Sequence, residues 1–218
     1  MKRLIIICEG QTEQEFCKKV LEPYFTSRNI EIRTPSIKKS GGGIVKWEVL
    51  QRQIEIHLKD DRSACVTTLI DYYGIHEKHQ FPEWISAHQL HDKNKRMRML
   101  EQGMKQSVHH EIHHRFIPYI QLHEFEGLLF NDLDVFLRII PQEDFINSVE
   151  LEKTIRDYPN PEMINDTPNN APSFRLKRLI KGYHKVIYGT MIAESIGLSR
   201  IRSKCPRFDE WIQKLQSI

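Results

Sequence analysis

Two periodicities alternate along residues 1–122, and together they outline a fold. Leu4 to Cys8 is an unbroken apolar run that ends abruptly at Glu9-Gly10, as expected of a short strand covered on both faces. Phe16, Val20, Leu21 and Tyr24 then recur at helical spacing. Gly10 permits a tight turn, and Thr12 followed by Glu15 has capping-box spacing, so a helix is predicted from about Thr12 to between Pro23 and Arg28. Residues 30–37 alternate as a second strand, placed near the sheet edge because Pro35 breaks its ladder. Trp47, Leu50, Ile54 and Leu58 predict a helix to about Lys59. Residues 64–70 form another buried run, ending on Asp71. Residues 75–92 are irregular and carry Phe81, Pro82 and Trp84. A basic helix follows from Asp92 to about His110, and residues 116–122 make a fourth strand that runs into His123-Glu124-Phe125-Glu126.

Strand, helix, strand, helix, strand at this pitch predicts an α/β fold with a mostly parallel sheet and right-handed crossovers. Beyond residue 130 the pattern turns helical and loop-like. Pro159, Pro161, Pro168 and Pro172 mark an extended loop over 158–173. Helices are predicted over 175–186, 190–196 and 208–215. The expected organisation is an α/β core over 1–135 with a helical C-terminal extension, 136–218, packed on it.

Composition narrows the class. The chain of 218 residues is 39% hydrophobic and 28% charged, which suits a globular domain rather than a disordered chain. No stretch approaches the roughly 18 apolar residues of a membrane span, and the run before Glu9 is too short for a signal peptide. Cys8, Cys17, Cys65 and Cys205 lie far apart with no CxxC pair, so reduced thiols in a cytoplasmic protein are expected. Net charge is only +3, but residues 119–170 hold 3 Lys/Arg against 11 Asp/Glu, and residues 171–218 hold 10 against 3. Such a basic tail suits either a phosphate-binding face, an interface with an acidic partner, or a plain solvated helical surface.

Candidate chemistry gathers at the strand ends. Glu9, Asp71, and Glu124 with Glu126 each terminate an apolar run, and in a parallel sheet those ends share one edge, where open α/β sheets bind ligands. Glu13 lies one helical turn beyond Glu9. Converging carboxylates repel one another unless a cation holds them, and Mg2+ or Mn2+ suits such oxygen ligands. Two such ions about 3.5–4 Å apart activate water and stabilise a leaving oxygen. The same acids also fit simpler roles as strand-end, helix-capping or dipole-complementing residues. His109/His113 and His110/His114 have the i, i+4 spacing that binds zinc on a helix, or they form a polar helix end. Lys38-Lys39-Ser40-Gly41-Gly42-Gly43 is a flexible basic loop without the Gly-Lys-Ser/Thr ending of a P-loop.

The arrangement strand–Glu9-Gly10-x-Thr12-Glu13–helix, then strand–Asp71-Tyr72-Tyr73, resembles the TOPRIM (topoisomerase–primase) domain. The nearest variant is that of overcoming-lysogenisation-defect nucleases and small stand-alone TOPRIM-like proteins. Leu69-Ile-Asp-Tyr-Tyr-Gly74, Tyr119 to Phe130 and Ile201 to Trp211 together resemble, over essentially the whole chain, a bacterial family that sits beside genes for ABC/SMC-type ATPases in phage-defence loci. The resemblance implies a TOPRIM-like, Rossmann-like fold. It makes Glu9 a metal ligand or general acid/base, Asp71 a metal ligand and Glu13 a holder of a second metal. It breaks at Tyr73, where a second aspartate is expected, leaving Glu124 or Glu126 as candidates for the missing charge.

The expected activity is therefore Mg2+- or Mn2+-dependent cleavage of DNA or RNA, with Glu9, Asp71 and Glu124 as catalytic residues and Glu9, Glu13, Asp71 and Glu126 as metal ligands. Arg175, Lys177, Arg178, Arg200, Arg202, Lys204 and Arg207 would hold the nucleic-acid backbone. The chain has no Walker motif, so a partner ABC-type ATPase would supply control. The rival is a catalytically silent adaptor that binds the ATPase or nucleic acid, a reading that Tyr73 favours. A phosphatase or nucleotidyl transferase would use the same metals.

Overall fold

The computed structural model describes residues 2–38, 43–164, 167 and 170–218. Lys39 to Gly42 of the basic loop and Asn165, Asp166, Pro168 and Asn169 of the proline-rich stretch lie outside the described residues. The first strand, β1 (Lys2–Cys8), leads into α1 (Gln11–Phe16), which passes through a π-helical turn (Cys17–Leu21) into α2 (Glu22–Thr26). The helix opens two residues earlier than the Thr12–Glu15 spacing predicts. Gly10 is the N-cap, and the Glu13 carboxylate reaches back to accept its N–H at 2.8 Å, so one carboxylate satisfies an otherwise orphaned helix-start donor.

Strand β2 (Ile30–Arg33) takes only the first half of the strand predicted over 30–37, stopping before Pro35; helix α3 (Trp47–Asp60) and strand β3 (Ala64–Asp71) follow as predicted. The irregular stretch holds the short helix α4 (Trp84–His88), and the basic helix α5 (Lys93–Ser107) is capped by Asp92, which accepts the Lys95 N–H at 2.9 Å. The predicted fourth strand is split into β4 (Phe116–Ile117) and β5 (Ile120–Gln121). Pro118 between them has no N–H to give the ladder. The β3 side chains repair the break: Thr68 Oγ donates to the Tyr119 carbonyl at 2.8 Å and accepts the Tyr119 N–H at 3.0 Å.

Among the described residues, every pairing between these strands is parallel. The order is β2-β1-β3-β4, with β5 also pairing with β3. The chain leaves β1 for β2 on one side and returns to β3 on the other, so the sheet has its topological switch point between β1 and β3. Edge position for β2 agrees with Pro35 lying just past its end.

Period-two alternation divides β1 between two cores. Leu4, Ile6 and Cys8 face one hydrophobic cluster; Ile5 and Ile7 face the other. The second cluster is completed by α3 (Trp47, Leu50, Ile54, Leu58) and α5 (Met97, Leu100, Met104). The first is completed by α1 and by the C-terminal half: α6 (Leu133–Ile139), α7 (Ser148–Asp157), α8 (Pro172–Leu179), α9 (Thr190–Ile196), α10 (Leu198–Lys204) and α11 (Pro206–Gln216). Helices therefore cover both faces of the sheet, and the chain after residue 135 contributes one of those layers. The predicted helix over 175–186 ends at Leu179. A π-helical turn, Lys185–Gly189, leads into α9 instead. Among the described residues no helix is long and apolar enough to cross a membrane.

The four histidines do not share a helix face. Helix α5 ends at Ser107, and residues 109–115 run through turns and a 3-10 turn, so the i, i+4 argument for zinc does not apply. Cys8 and Cys17, far apart in sequence terms, meet with their sulfurs 3.9 Å apart.

Candidate metal centre at the switch point

Parallel pairing aligns Cys8 with Leu69, so the residues that leave β1 and β3 emerge side by side. The Glu9 N–H still donates to the Leu69 carbonyl at 3.1 Å. Its carboxylate then bends across the switch point, where Oε2 accepts the Asp71 N–H at 2.9 Å. Asp71 Oδ1 in turn accepts the Phe125 N–H at 2.9 Å, which ties the end of β3 to the turn after β5. Glu13 rises from the first turn of α1 and is only 2% exposed.

The turn after β5 is set by an unusual backbone. His123 has φ 69°, the left-handed region that non-glycine residues rarely occupy. Its carbonyl accepts the Tyr73 N–H at 2.9 Å, so the loops after β3 and β5 are latched together. The 3-10 turn Phe125–Leu129 follows and buries Glu126, whose Oε1 has no hydrogen-bond partner. Glu124 differs: its two oxygens accept the N–H (2.9 Å) and hydroxyl (3.0 Å) of Ser173 at the start of α8. Through these two bonds Glu124 anchors the start of α8 to the site.

Five acids act on one another here. Burial, followed by the charges of Glu9, Glu13, Glu126 and Glu124, pushes the Asp71 carboxyl well above the usual aspartate range. Glu9 is raised to about 7 by burial, against the opposing Asp71 N–H hydrogen bond, with Glu13 and Glu124 adding to the rise. Glu126 is likewise raised to about 7, first by burial, with Lys185 opposing and Glu124 adding. Lys185 lies in this field. Desolvation opposes its charge, but Glu126, Glu13, Asp71 and Glu9 outweigh that and push its pKa up. Buried Tyr183, two residues before it, has its hydroxyl raised well above the usual range by burial and by Glu126 and Glu124, and that hydroxyl lacks a partner. The hydroxyls of Thr12 on α1 and Thr190 on α9 are also buried and unpaired.

Among the described residues, no three His, Cys, Asp or Glu side chains already stand in the arrangement of a metal cage. Glu9, Glu13 and Asp71 each turn one oxygen to a backbone N–H. Those bonds leave the second oxygen of each, together with Glu126 Oε1, for another ligand. Oxygen donors only, an excess of negative charge and an orphaned buried acceptor fit a hard divalent cation.

The cations predicted to hold nucleic acid are mostly committed elsewhere. Arg207 is buried and bonded to Glu101, and Arg175 is buried with its Nε donating to the Asn170 carbonyl. Arg178 pairs with Glu150, and Arg200 with Asp132 at 2.8 Å. Arg202 bonds Asp209 and the Tyr24 hydroxyl, and Lys204 bonds the Asn131 carbonyl. Of these seven, Lys177 is the one that is exposed with no ion pair among the described residues, its ammonium 5.8 Å from the Phe174 ring. The basic tail is thus largely a set of internal fastenings. Sequence reasoning missed Lys185, Ser173 and His123. Lys185 is one of ten cations after residue 170, and nothing in its spacing links it to acids more than fifty residues upstream.

A family model described as Domain of unknown function (DUF4276) matches residues 8–216, from the end of β1 to the end of α11. No curated protein and no solved structure is found to be similar to the chain.

Proposed function

The chain belongs to the DUF4276 family, and from its site we propose that it is a metal-dependent phosphodiester hydrolase, a TOPRIM-like nuclease acting on DNA or RNA. The observation that carries this reading is the meeting of Glu9 and Asp71 at the ends of adjacent parallel strands, on the switch point, with Glu13 and Glu126 in the same field. Mg2+ or Mn2+ would be held by Glu9, Glu13, Asp71 and Glu126, and would supply activated water and charge stabilisation at the phosphate. Glu9, with its pKa near 7, is suited to take up or release a proton at neutral pH. Lys185 offsets part of the negative field that would otherwise repel an incoming phosphate. Ser173 holds Glu124, and through it the turn that carries Glu126.

Control by a partner ABC-type ATPase, and a role as a restrained effector in phage defence, belong to the same proposal and rest on the resemblance of the motifs. A second reading, a silent TOPRIM-like adaptor, is favoured by one observation: Tyr73 stands where a second aspartate is expected, with its N–H given to His123. The discriminating experiment incubates the protein with single-stranded DNA, duplex DNA and RNA in Mn2+ or Mg2+, and measures metal binding by calorimetry. Cleavage that Glu9→Gln and Asp71→Asn each reduce by about 10²-fold or more, with folding retained, supports the hydrolase. Absence of both metal binding and cleavage in the wild type leaves the adaptor.

A further inference from the structure

Beside the acidic cluster, on the other side of the same two loops, lies a cavity of about 430 Å3. Its wall begins at Tyr72 and Tyr73, directly after Asp71, and includes His123, directly before Glu124. Across from them stand Trp84 and His88 on α4, and Lys93 and Arg96 on α5. Gly74 closes the distance between the two regions: a Cβ there would come within 3.3 Å of Glu9 Oε1. A ligand in the cavity is therefore one short turn from the carboxylates.

The lining is aromatic and cationic, in contrast to the acids next door. Trp84 and His88 pack with centroids 3.9 Å apart, and Tyr72 lies 6.4 Å from Trp84. The Tyr72 hydroxyl sits 3.0 Å from His88 Nε2 and accepts from Arg96 Nη1 at 3.2 Å. This fixes the orientation of both rings and of the guanidinium, and the buried Arg96 Nε has no hydrogen-bond partner. Tyr73 is 38% exposed with its ring uncommitted to the core. Helix α4 is held down on α5 by a close approach at Gly103, where a Cβ would fall 2.8 Å from Glu83 Cγ. The wall is thus rigid on one side and offers an exposed ring on the other.

Flat rings with fixed cations beside them bind unstacked bases and their phosphates. A duplex keeps its bases stacked away from such a surface. We propose that this cavity is a subsite for single-stranded nucleic acid, taking a base between Tyr73 and Trp84 and its phosphate at Lys93 and Arg96, so that the neighbouring phosphodiester is presented to the acidic cluster. The last step rests on the hydrolase reading above; the binding does not.

Of the three tryptophans, Trp47 and Trp211 are buried and Trp84 is partly exposed, so intrinsic fluorescence reports on this wall. The experiment titrates the full chain, in EDTA, with a short single-stranded oligonucleotide and with the matching duplex. The expected result is fluorescence quenching by the single strand. Trp84→Phe abolishes the signal while anisotropy still shows binding. Trp84→Ala and Tyr73→Ala weaken affinity by about 10-fold each, and Arg96→Gln lowers the slope of log affinity against log salt by about one. Affinity unchanged in Trp84→Ala and Tyr73→Ala, or duplex bound as tightly as single strand, overturns the subsite. If those variants bind normally while the wild type still cleaves with Mn2+, the subsite falls and the hydrolase stands. If binding depends on Trp84 and Tyr73 but no metal supports cleavage, the subsite stands and the hydrolase falls.

Discussion

The protein buries acids in two places and treats them in opposite ways. At one, Glu101 on α5 accepts both the Arg207 guanidinium and the Ile120 N–H, and Glu162 accepts the Arg207 and Phe208 N–H groups (2.9 and 3.1 Å) at the start of α11. At the other, Glu13 and Glu126 are about as deeply buried, 2% exposed each against 8% for Glu101 and 1% for Glu162, yet Glu126 Oε1 has no partner, and Glu9, Glu13, Asp71 and Glu126 all bear on Lys185. The first arrangement satisfies each buried charge on the spot and fastens α11 to β5 and α5. The second leaves charge uncompensated, which costs stability. Depth of burial does not tell the two apart. What tells them apart is whether the donors are already supplied by the fold.

The sharpest way to break that contrast is to remove the donor that the first centre depends on. Arg207→Met keeps much of the side-chain volume but leaves Glu101 buried without its ion pair, and such a loss costs about 3–5 kcal/mol. Urea denaturation should show the midpoint falling accordingly, with Mn2+ binding at the other centre retained. A change below about 1 kcal/mol would mean that the pair does not hold this region together. The complementary experiment supplies the second centre with what it lacks. Mn2+ at 100 times its dissociation constant should stabilise the wild type by about 2.7 kcal/mol. Asp71→Asn should lose most of that gain while being no less stable than wild type in EDTA, because it relieves like-charge repulsion. A metal-dependent rise in Tm that survives in Asp71→Asn would move the cation elsewhere.

The two centres were unequally legible in the sequence. Glu9 and Asp71 could be placed because each follows an unbroken apolar run, and parallel pairing of such runs leaves no choice about which edge their ends share. Glu126 was within reach for the same reason. Lys185 and Ser173 were not, since their approach depends on how the C-terminal helices settle on the first hydrophobic cluster, and no local period encodes that. The basic tail was hard to read for a related reason. Arg175, Arg202 and Arg207 are charged residues at helical spacing, and sequence alone does not distinguish a cation facing solvent from one facing Glu101 or Asp209. The split between β4 and β5 was signalled by Pro118, which a reading based on apolar runs passes over.

Titration separates the centres next. Glu9, Glu126 and Glu162 all have pKa values raised to about 7, and Glu101 is raised as well. A carboxyl raised in this way binds its proton more tightly in the folded chain than in the unfolded one. Its contribution is complete below the ordinary glutamate value of 4.5 and is lost as pH climbs through about 7. Stability in EDTA should therefore fall between about pH 5 and 8. Asp61, Asp92 and Asp157 act in the opposite sense, but below their ordinary value of 3.8, outside this window; His57 and His79, lowered from 6.5 chiefly by burial, offset part of the fall within it. Mn2+ should flatten only the share owed to Glu9 and Glu126, and its affinity should rise with pH as those protons are displaced. The double variant Glu9→Gln/Glu126→Gln should show a shallower fall that Mn2+ no longer changes. Stability that rises from pH 5 to 8 in EDTA would contradict the burial of these acids.

The smallest effect tests the one acid of the second centre that is treated like those of the first. Glu124 has both oxygens bonded to Ser173, so its expected work is to hold α8 against the turn that carries Glu126. Ser173→Ala removes the hydroxyl bond and keeps the backbone one, which should cost about 1 kcal/mol. If Glu124 only fastens, Mn2+ affinity should drop about 10-fold through loosening of the turn, and any cleavage should keep its pH profile. If Glu124 instead serves as a free base, releasing one of its oxygens should shift that profile and leave affinity for the metal unchanged. The two outcomes move different observables, so this mild variant decides on which side of the comparison Glu124 belongs.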